Sequence, residues 1–385
     1  MRTVGVEEEM LLVDVRDGRP RSVSGQVLVQ VALAAPGAPE VPGDGAHGAV
    51  EGEFQQQQIE THTPPVADLD TLRAELRRWR AEAVAAARPT GSSVAALATS
   101  PLPVHPVASR TRRYLWLEDR YGLTAREHLV GGCHVHVSVE GDEEGVGVLD
   151  RIRVWLPTLL ALSANSPFWN GQDTGYASYR SRVLARWPSM GPTDLLGSAA
   201  AYHRLVDDMV RSTVILDEGM VYFDARLAKR YPTVEVRIAD VCFTVEEAVF
   251  IAALCRGLVE TAAREWVAGR PAADVPAQLV RFAAWHAARE GLEGRLLDWR
   301  TGLPAPCWSV LESLVDHVGP ALEAADDLVV VQEGLTRVRQ EGNGAMRQRA
   351  MLARTGKLVD VVAEAVRATA LSGDGQGSAG PASVR

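Results

Sequence analysis

Two segments of this chain alternate apolar and polar side chains with a period of two. Val135, Val137 and Val139 interleave with His134, His136 and Ser138, and Val234, Val236 and Ile238 interleave with Thr233, Glu235 and Arg237. Side chains i and i+2 of a strand share a face, so each segment predicts a strand with an apolar underside and a chemically equipped upper face. Residues 4–13 predict a further strand that carries Glu7 and Glu9, although Glu8 between them interrupts the alternation. Residues 54–61 read as extended up to Pro64-Pro65, with Glu53 and Glu60 at their two ends, and 93–98 as another strand. If these strands are neighbours in one sheet, their upper faces form a carboxylate-rich floor suited to hard divalent cations and phosphate.

Other stretches carry the helical period. Asp68 stands as an N-cap before Leu69, Leu72, Leu76, Trp79 and Ala83, and Pro89 to Gly91 ends that run. Helical spacing also marks 147–163, 198–212, 248–266, 276–289, 309–323 and 345–370. Residues 34–49 are rich in Gly, Pro and Ala and predict a loop; 372–385 are rich in Gly, Ser and Ala and predict a disordered tail. Between 165 and 192 lies a long loop holding Trp169, Tyr176, Tyr179, Arg180, Arg182, Arg186 and Trp187. A loop of that length inside a compact domain points to binding. Strands from distant segments with helices around and after them give an α+β class.

Composition narrows the function. The net charge of −9 argues against nucleic acid or an anionic membrane as the main partner. Three glutamates fall where a signal sequence would need an apolar core, and the greasiest stretch, 154–168, is too short and polar to span a bilayer. The four cysteines show no framework spacing, so reduced thiols and a cytoplasmic location are expected. Lys229 and Lys357 are the chain's two lysines, and no Gly-x-x-x-x-Gly-Lys-Ser/Thr loop is present, which excludes a P-loop. Any phosphate would be held by arginine, metal and backbone.

A metal reading gives each polar residue a role. Mg²⁺ takes oxygen ligands and shares its shell between carboxylates and substrate phosphates. Glu7, Glu9, Glu53, Glu60 and Glu235 offer five carboxylates; His134 would complete a shell or contact phosphate, and Arg237 would present a planar fork to a carboxylate or a phosphoryl group. Any one of these pairs alone is better read as a solvated face of a one-sided antiparallel sheet. Their joint occurrence with the arginine- and aromatic-rich loop favours a site. A His-x-His strand also suits a zinc or transition-metal hydrolase, but His47, His62, His105, His128, His203, His286 and His317 lack ligand spacing. A non-catalytic ATP-binding protein on the same scaffold is the third reading. Cys133 should point into the core, away from His134.

Taken together, Gly5-Val6-Glu7-Glu8-Glu9, Gln58-Ile59-Glu60-Thr61, Gly132-Cys133-His134-Val135-His136-Val137, Leu162-Ser163-Ala164-Asn165-Ser166-Pro167-Phe168-Trp169, Asp173-Thr174-Gly175-Tyr176-Ala177-Ser178-Tyr179-Arg180 and Pro232-Thr233-Val234-Glu235-Val236-Arg237 are specific. They resemble the glutamate–cysteine ligase family, in its type 2 carboxylate-amine ligase branch, from about residue 3 to 370. The resemblance implies a glutamine-synthetase-like core: a curved, mostly antiparallel sheet wrapped by helices, as a single catalytic domain over 1–371. It also implies ATP-dependent, Mg²⁺-assisted amide formation through an acyl phosphate, with glutamate favoured as the carboxylate substrate, a small-molecule amine such as cysteine, and a homodimer. By position, Glu7, Glu9, Glu60 and Glu235 match metal ligands, and Glu53 matches a further carboxylate position. His134 matches the site histidine and Arg237 the arginine on the reacting phosphate. Arg180, Arg182 and Tyr179 are candidates for phosphate or substrate. His136 is characteristic of the type 2 branch, and its role is open.

Overall fold

The computed structural model describes residues 1–34 and 49–371, so the predicted tail and, apart from its two end residues, the predicted loop lie outside the described residues. Seven strands form the main sheet: β1 (Val4–Asp14), β2 (Ala49–Gly52), β3 (Gln58–His62), β4 (Ser92–Ala95), β5 (Gly132–Ser138), β6 (Ala225–Leu227) and β7 (Thr233–Asp240). Their order is β2-β3-β1-β5-β7-β6, with β4 pairing the far end of β1, and every pairing is antiparallel. The α+β class and the sheet built from distant segments are as expected. In sequence the strands span from residue 4 to residue 240, so β1 at the centre joins parts of the chain that local contacts could not unite.

The underside of the sheet is apolar. Val4, Val6, Val135, Val137, Val234 and Val236 are all buried in one cluster with Ala248, Val249 and Ala252 of the helix Val245–Val267. That helix opens on a capping box between Thr244 and Glu247. Farther along β1, Met10 and Leu12 pack against Trp79 and Ala83 of the helix Leu69–Ala87. Asp68 caps that helix as predicted, accepting from the Thr71 N–H at 2.7 Å. Cys133 is fully buried underneath, and all four cysteines are free.

Several elements differ from expectation for local reasons. The run 147–163 is two helices, Asp142–Ile152 and Leu156–Ser163, and Pro157 occupies the first turn of the second, where its missing N–H is harmless. The run 345–370 divides into Gly344–Thr355 and Leu358–Leu371 at Gly356, which has φ +71°. The long loop contains a short hairpin (Phe168–Trp169 with Gln172–Asp173) and the helix Arg180–Leu184. An unforeseen helix spans Ser24–Ala34, and the helix Leu328–Glu341 fills the interval between the predicted runs 309–323 and 345–370. In the first, Val27, Val29 and Val31 alternate with the strand period, yet tertiary packing makes the segment helical. No helix among the described residues is long and apolar enough to cross a membrane.

Candidate active site

Cross-strand register builds the site. Glu7 on β1 lies opposite His62 on β3 and opposite His134 on β5, while Glu9 lies opposite Glu60. One strand further on, His136 faces Glu235, and Glu235 faces Arg226 on β6. Residues directly opposite share a face, so a strip of acids, imidazoles and guanidiniums runs across four strand pairs. A register shift between Cys133 and Val135 gives β7 one extra residue opposite β5. Bulges of this kind re-aim side chains. Here Arg237 comes to lie with Nη1 3.5 Å from His134 Nδ1 while also bonding Glu235.

The distances place Glu7 at the hub. Its Oε1 is 3.3 Å from His62 Nδ1 and 3.2 Å from His136 Nε2, and its Oε2 is 3.3 Å from His134 Nδ1. Glu60 Oε2 lies 3.5 Å from His62 Nε2, and Glu9 Oε1 lies 3.7 Å from His134 Nε2. The Gly132 N–H donates to Glu9 Oε2 at 2.6 Å. Arg226 grips Glu235 in a fork, Nε to Oε2 at 2.7 Å and Nη2 to Oε1 at 3.2 Å. Glu53 accepts the Phe54 N–H at 2.7 Å and stands beside Glu60.

Charges compete strongly here. Burial works to raise the Glu7 carboxyl, but His136, His134 and His62 outweigh it and hold Glu7 well below the usual range. Burial works to lower His62, and Glu60 and Glu7 override it, lifting the imidazole to about 11. Glu53 goes the other way: burial first, then Glu60 and Glu9, push its carboxyl well above the ordinary value. Arg237 and Arg226 overcome burial at Glu235 and keep it ionised. The strip therefore holds acids of opposite tendency within one site, a pattern typical of functional clusters.

Three sets of ligand atoms, each within 4.8 Å of one another, can hold a cation: Glu7–Glu60–His62, Glu7–His136–Glu235 and Glu9–Glu60–His134. Each set joins two carboxylates to one imidazole. His62, His134 and His136 each bury an Nε2 that has no hydrogen-bond partner among the described residues. Buried polar atoms left in this state cost free energy, so the donor set fits divalent ions. Glu53 belongs to none of the three sets and stands beside Glu60, where burial and its neighbours favour the protonated carboxyl.

The sequence-predicted residues divide. Glu7, Glu9, Glu60, His134, Glu235 and Arg237 converge, with Glu53 at the edge. Arg180 is buried beside them: it is 2 % exposed, and its guanidinium donates to the Ile238 and Arg237 carbonyls at 3.3 and 3.2 Å. Its contacts are with the bulged backbone, which it positions, and with the buried Asp240 carboxylate at 3.9 Å. Arg182 and Tyr179 are half-buried nearby; Tyr179 packs between Trp169 and Tyr176, and Arg182 reaches Ser181 Oγ. Sequence reasoning missed His62 and Arg226. His62 carried a usable signal, since it is two residues after Glu60 and so shares its face. Arg226 carried none, because a three-residue edge strand has no period to read.

Comparison with known proteins gives the chain's family and fold. A protein of Streptomyces coelicolor provisionally named glutamate–cysteine ligase 2 is 54 % identical over 369 residues, 96 % of this chain and 99 % of that protein. A Frankia alni protein with the corresponding provisional name, glutamate–cysteine ligase 2-2, is 44 % identical over 96 % of this chain and 97 % of its own length. The fold matches that of the Francisella tularensis glutamate–cysteine ligase, solved with AMP, at a TM-score of 0.67 and 13 % identity, covering 97 % of this chain and 89 % of that one. The family model described as glutamate-cysteine ligase family 2 matches residues 3–367, and with the sheet, the acidic strip and these relatives in agreement, the chain belongs to that family.

Proposed function

We propose that this protein is an ATP-dependent carboxylate-amine ligase, with glutamate as the favoured carboxylate substrate and a small amine such as cysteine as its partner. The observation that carries the reading is the convergence of Glu7, Glu9, Glu60 and Glu235 with His134 and Arg237 on one face of the sheet. The AMP found in the Francisella tularensis enzyme of the same fold supports a nucleotide here.

In the proposed reaction a substrate carboxylate oxygen attacks the γ-phosphorus of ATP. The bond from that phosphorus to the β–γ bridging oxygen breaks, and ADP leaves. The amine nitrogen then attacks the acyl phosphate carbon, the carbon–oxygen bond to phosphate breaks, and the nitrogen gives up a proton. Divalent ions, Mg²⁺ foremost, would supply the charge neutralisation that phosphoryl transfer needs. Glu7, Glu9, Glu60, His134 and Glu235 would hold them, with Glu53 beside Glu60 as a further carboxyl whose ionised form the bound cations would favour. Arg237 offers a planar cation, kept charged by Glu235, to the oxygens of the transferring group. Arg180 fixes the carbonyls of Arg237 and Ile238, so the bulge that aims Arg237 cannot relax.

The rival hydrolase reading needs a shell dominated by imidazoles. Each ligand set here has two carboxylates for one imidazole, which favours the ligase. The test is ADP release from ATP with glutamate and a panel of amines. Arg237→Ala should lower turnover roughly a hundredfold or more. Unchanged turnover in a folded variant, or tightly held zinc without ATP dependence in the parent, overturns the reading.

A further inference from the structure

Glu7 touches two imidazoles, His62 and His136, that the ligase mechanism above leaves without a task. His62 is the more informative. It projects from β3 directly opposite Glu7, two residues along from Glu60, so three side chains from two strands meet at one corner. Their ligand atoms all lie within 4.8 Å. His62 Nε2 is 3.5 Å from Glu60 Oε2, yet it completes no hydrogen bond among the described residues and is shielded from solvent. The same Glu60 also belongs to the ligand set of Glu9 and His134, a residue 2 % exposed whose Nε2 likewise completes no hydrogen bond and lies 3.7 Å from Glu9 Oε1. Two buried ring nitrogens without hydrogen bonds, on strands either side of β1, thus border ligand sets that share the Glu60 carboxylate.

A purely structural His62, bridging Glu7 and Glu60 through two good hydrogen bonds, would leave no ring nitrogen unpaired. The observed geometry suits a ligand that both carboxylates and the ring can share. Imidazole nitrogen is a softer donor than carboxylate oxygen, and Mg²⁺ prefers oxygen and water throughout its shell. A first-row transition ion gains from the nitrogen where Mg²⁺ does not.

We propose that His62 is a metal ligand, forming with Glu7 and Glu60 a divalent-cation position that binds Mn²⁺ more tightly than Mg²⁺. The inference rests on the metal-dependent ligase reading and adds a ligand and an ion preference to it. Carboxylates Glu7 and Glu60 each belong to a second ligand set as well, so this ion would share them with its neighbours.

The test counts ions. The full chain is stripped with chelator and dialysed against Mn²⁺, free Mn²⁺ is read by electron paramagnetic resonance, and Mg²⁺ is used as competitor. The parent should bind one more Mn²⁺ per chain than His62→Ala. His62→Gln, which puts an oxygen in place of the nitrogen, should retain the ion but lose about tenfold of its preference for Mn²⁺ over Mg²⁺. Equal Mn²⁺ stoichiometry and affinity in the parent and in folded His62→Ala overturns the proposal. If His62→Ala does not fold, an unchanged Mn²⁺/Mg²⁺ preference in His62→Gln overturns it instead. ADP release by the parent, measured in parallel, separates the two claims. No turnover with a lost Mn²⁺ removes the ligase reading and leaves His62 a ligand; turnover with unchanged binding does the reverse.

Discussion

Glu8 and Arg80 form a forked ion pair, Nε to Oε2 at 2.9 Å and Nη2 to Oε1 at 2.6 Å, and both side chains are 0 % exposed. This explains the run of three glutamates. Glu7 and Glu9 face the site, while Glu8 points through the sheet to the helix Leu69–Ala87, where Arg80 also donates to the Cys242 carbonyl at 2.8 Å. The pair ties β1, that helix and the chain just after β7 together beneath the site. Breaking one partner of a buried pair strands the other charge, so Glu8→Leu or Arg80→Met should each destabilise by about 3–5 kcal/mol. The double variant should recover much of the loss. Urea unfolding midpoints of the three proteins check this, and additive losses would count against it.

Legibility followed period and register. Strands β5 and β7 were readable because valines alternate cleanly with polar residues over each of them, and the helix after Asp68 because its cap and stripe agree. Glu8 looked like a fault in the pattern because its partner is 72 residues away, and no local rule links the two. The strip itself was legible as residue types but not as geometry. Which glutamate meets which histidine depends on pairing β1 with both β3 and β5, and the bulge that aims Arg237 depends on one extra residue in β7. Arg180 showed its charge in the sequence and concealed its depth.

Gly132 offers a test of positioning. A Cβ there would overlap Arg180 Nη2 and stand 2.8 Å from His134 Nε2. Arg180 is buried and bonded to two carbonyls, so it cannot withdraw freely. Gly132→Ala should therefore displace His134 or the Arg237 backbone. Its stability cost should be about 1–3 kcal/mol, as for other overpacked sites. Turnover should fall more than that implies, by roughly tenfold or more, since sub-ångström misplacement of reacting groups is expensive. Melting temperature and ADP-release rate, measured on one preparation, separate the two effects.

Asp224 gives a pH signature. Burial raises its carboxyl to about 7, against the opposing pull of Arg281, Arg182 and Arg180. A carboxyl whose folded value exceeds its unfolded one favours the fold while protonated. That contribution is complete below the unfolded value near 4 and is lost as pH rises through 7. Asp224→Asn, which stays neutral, should thus gain stability over the parent as pH climbs from 5 to 8, by at most about 4 kcal/mol. Thermal unfolding across that range would show the curves diverging upward in pH; parallel curves would mean Asp224 ionises normally.

The acidic strip should make the fold itself sensitive to divalent ions. Glu53 is driven to hold a proton by burial and by Glu60 and Glu9, which means the three carboxylates repel one another when no cation sits among them. A cation that binds only the folded chain stabilises it by RT ln(1 + [L]/Kd), about 2.7 kcal/mol at a hundred times Kd. Chelator should accordingly lower the melting temperature, and added Mn²⁺ or Mg²⁺ should restore it in a saturable way. Glu53→Gln removes the cost of keeping a proton on that carboxyl at neutral pH, so it should melt higher than the parent in chelator and gain less from added ion. A variant that melts lower in chelator and responds fully to metal would show that Glu53 contributes by packing or hydrogen bonding, and that the strip's repulsion lies elsewhere.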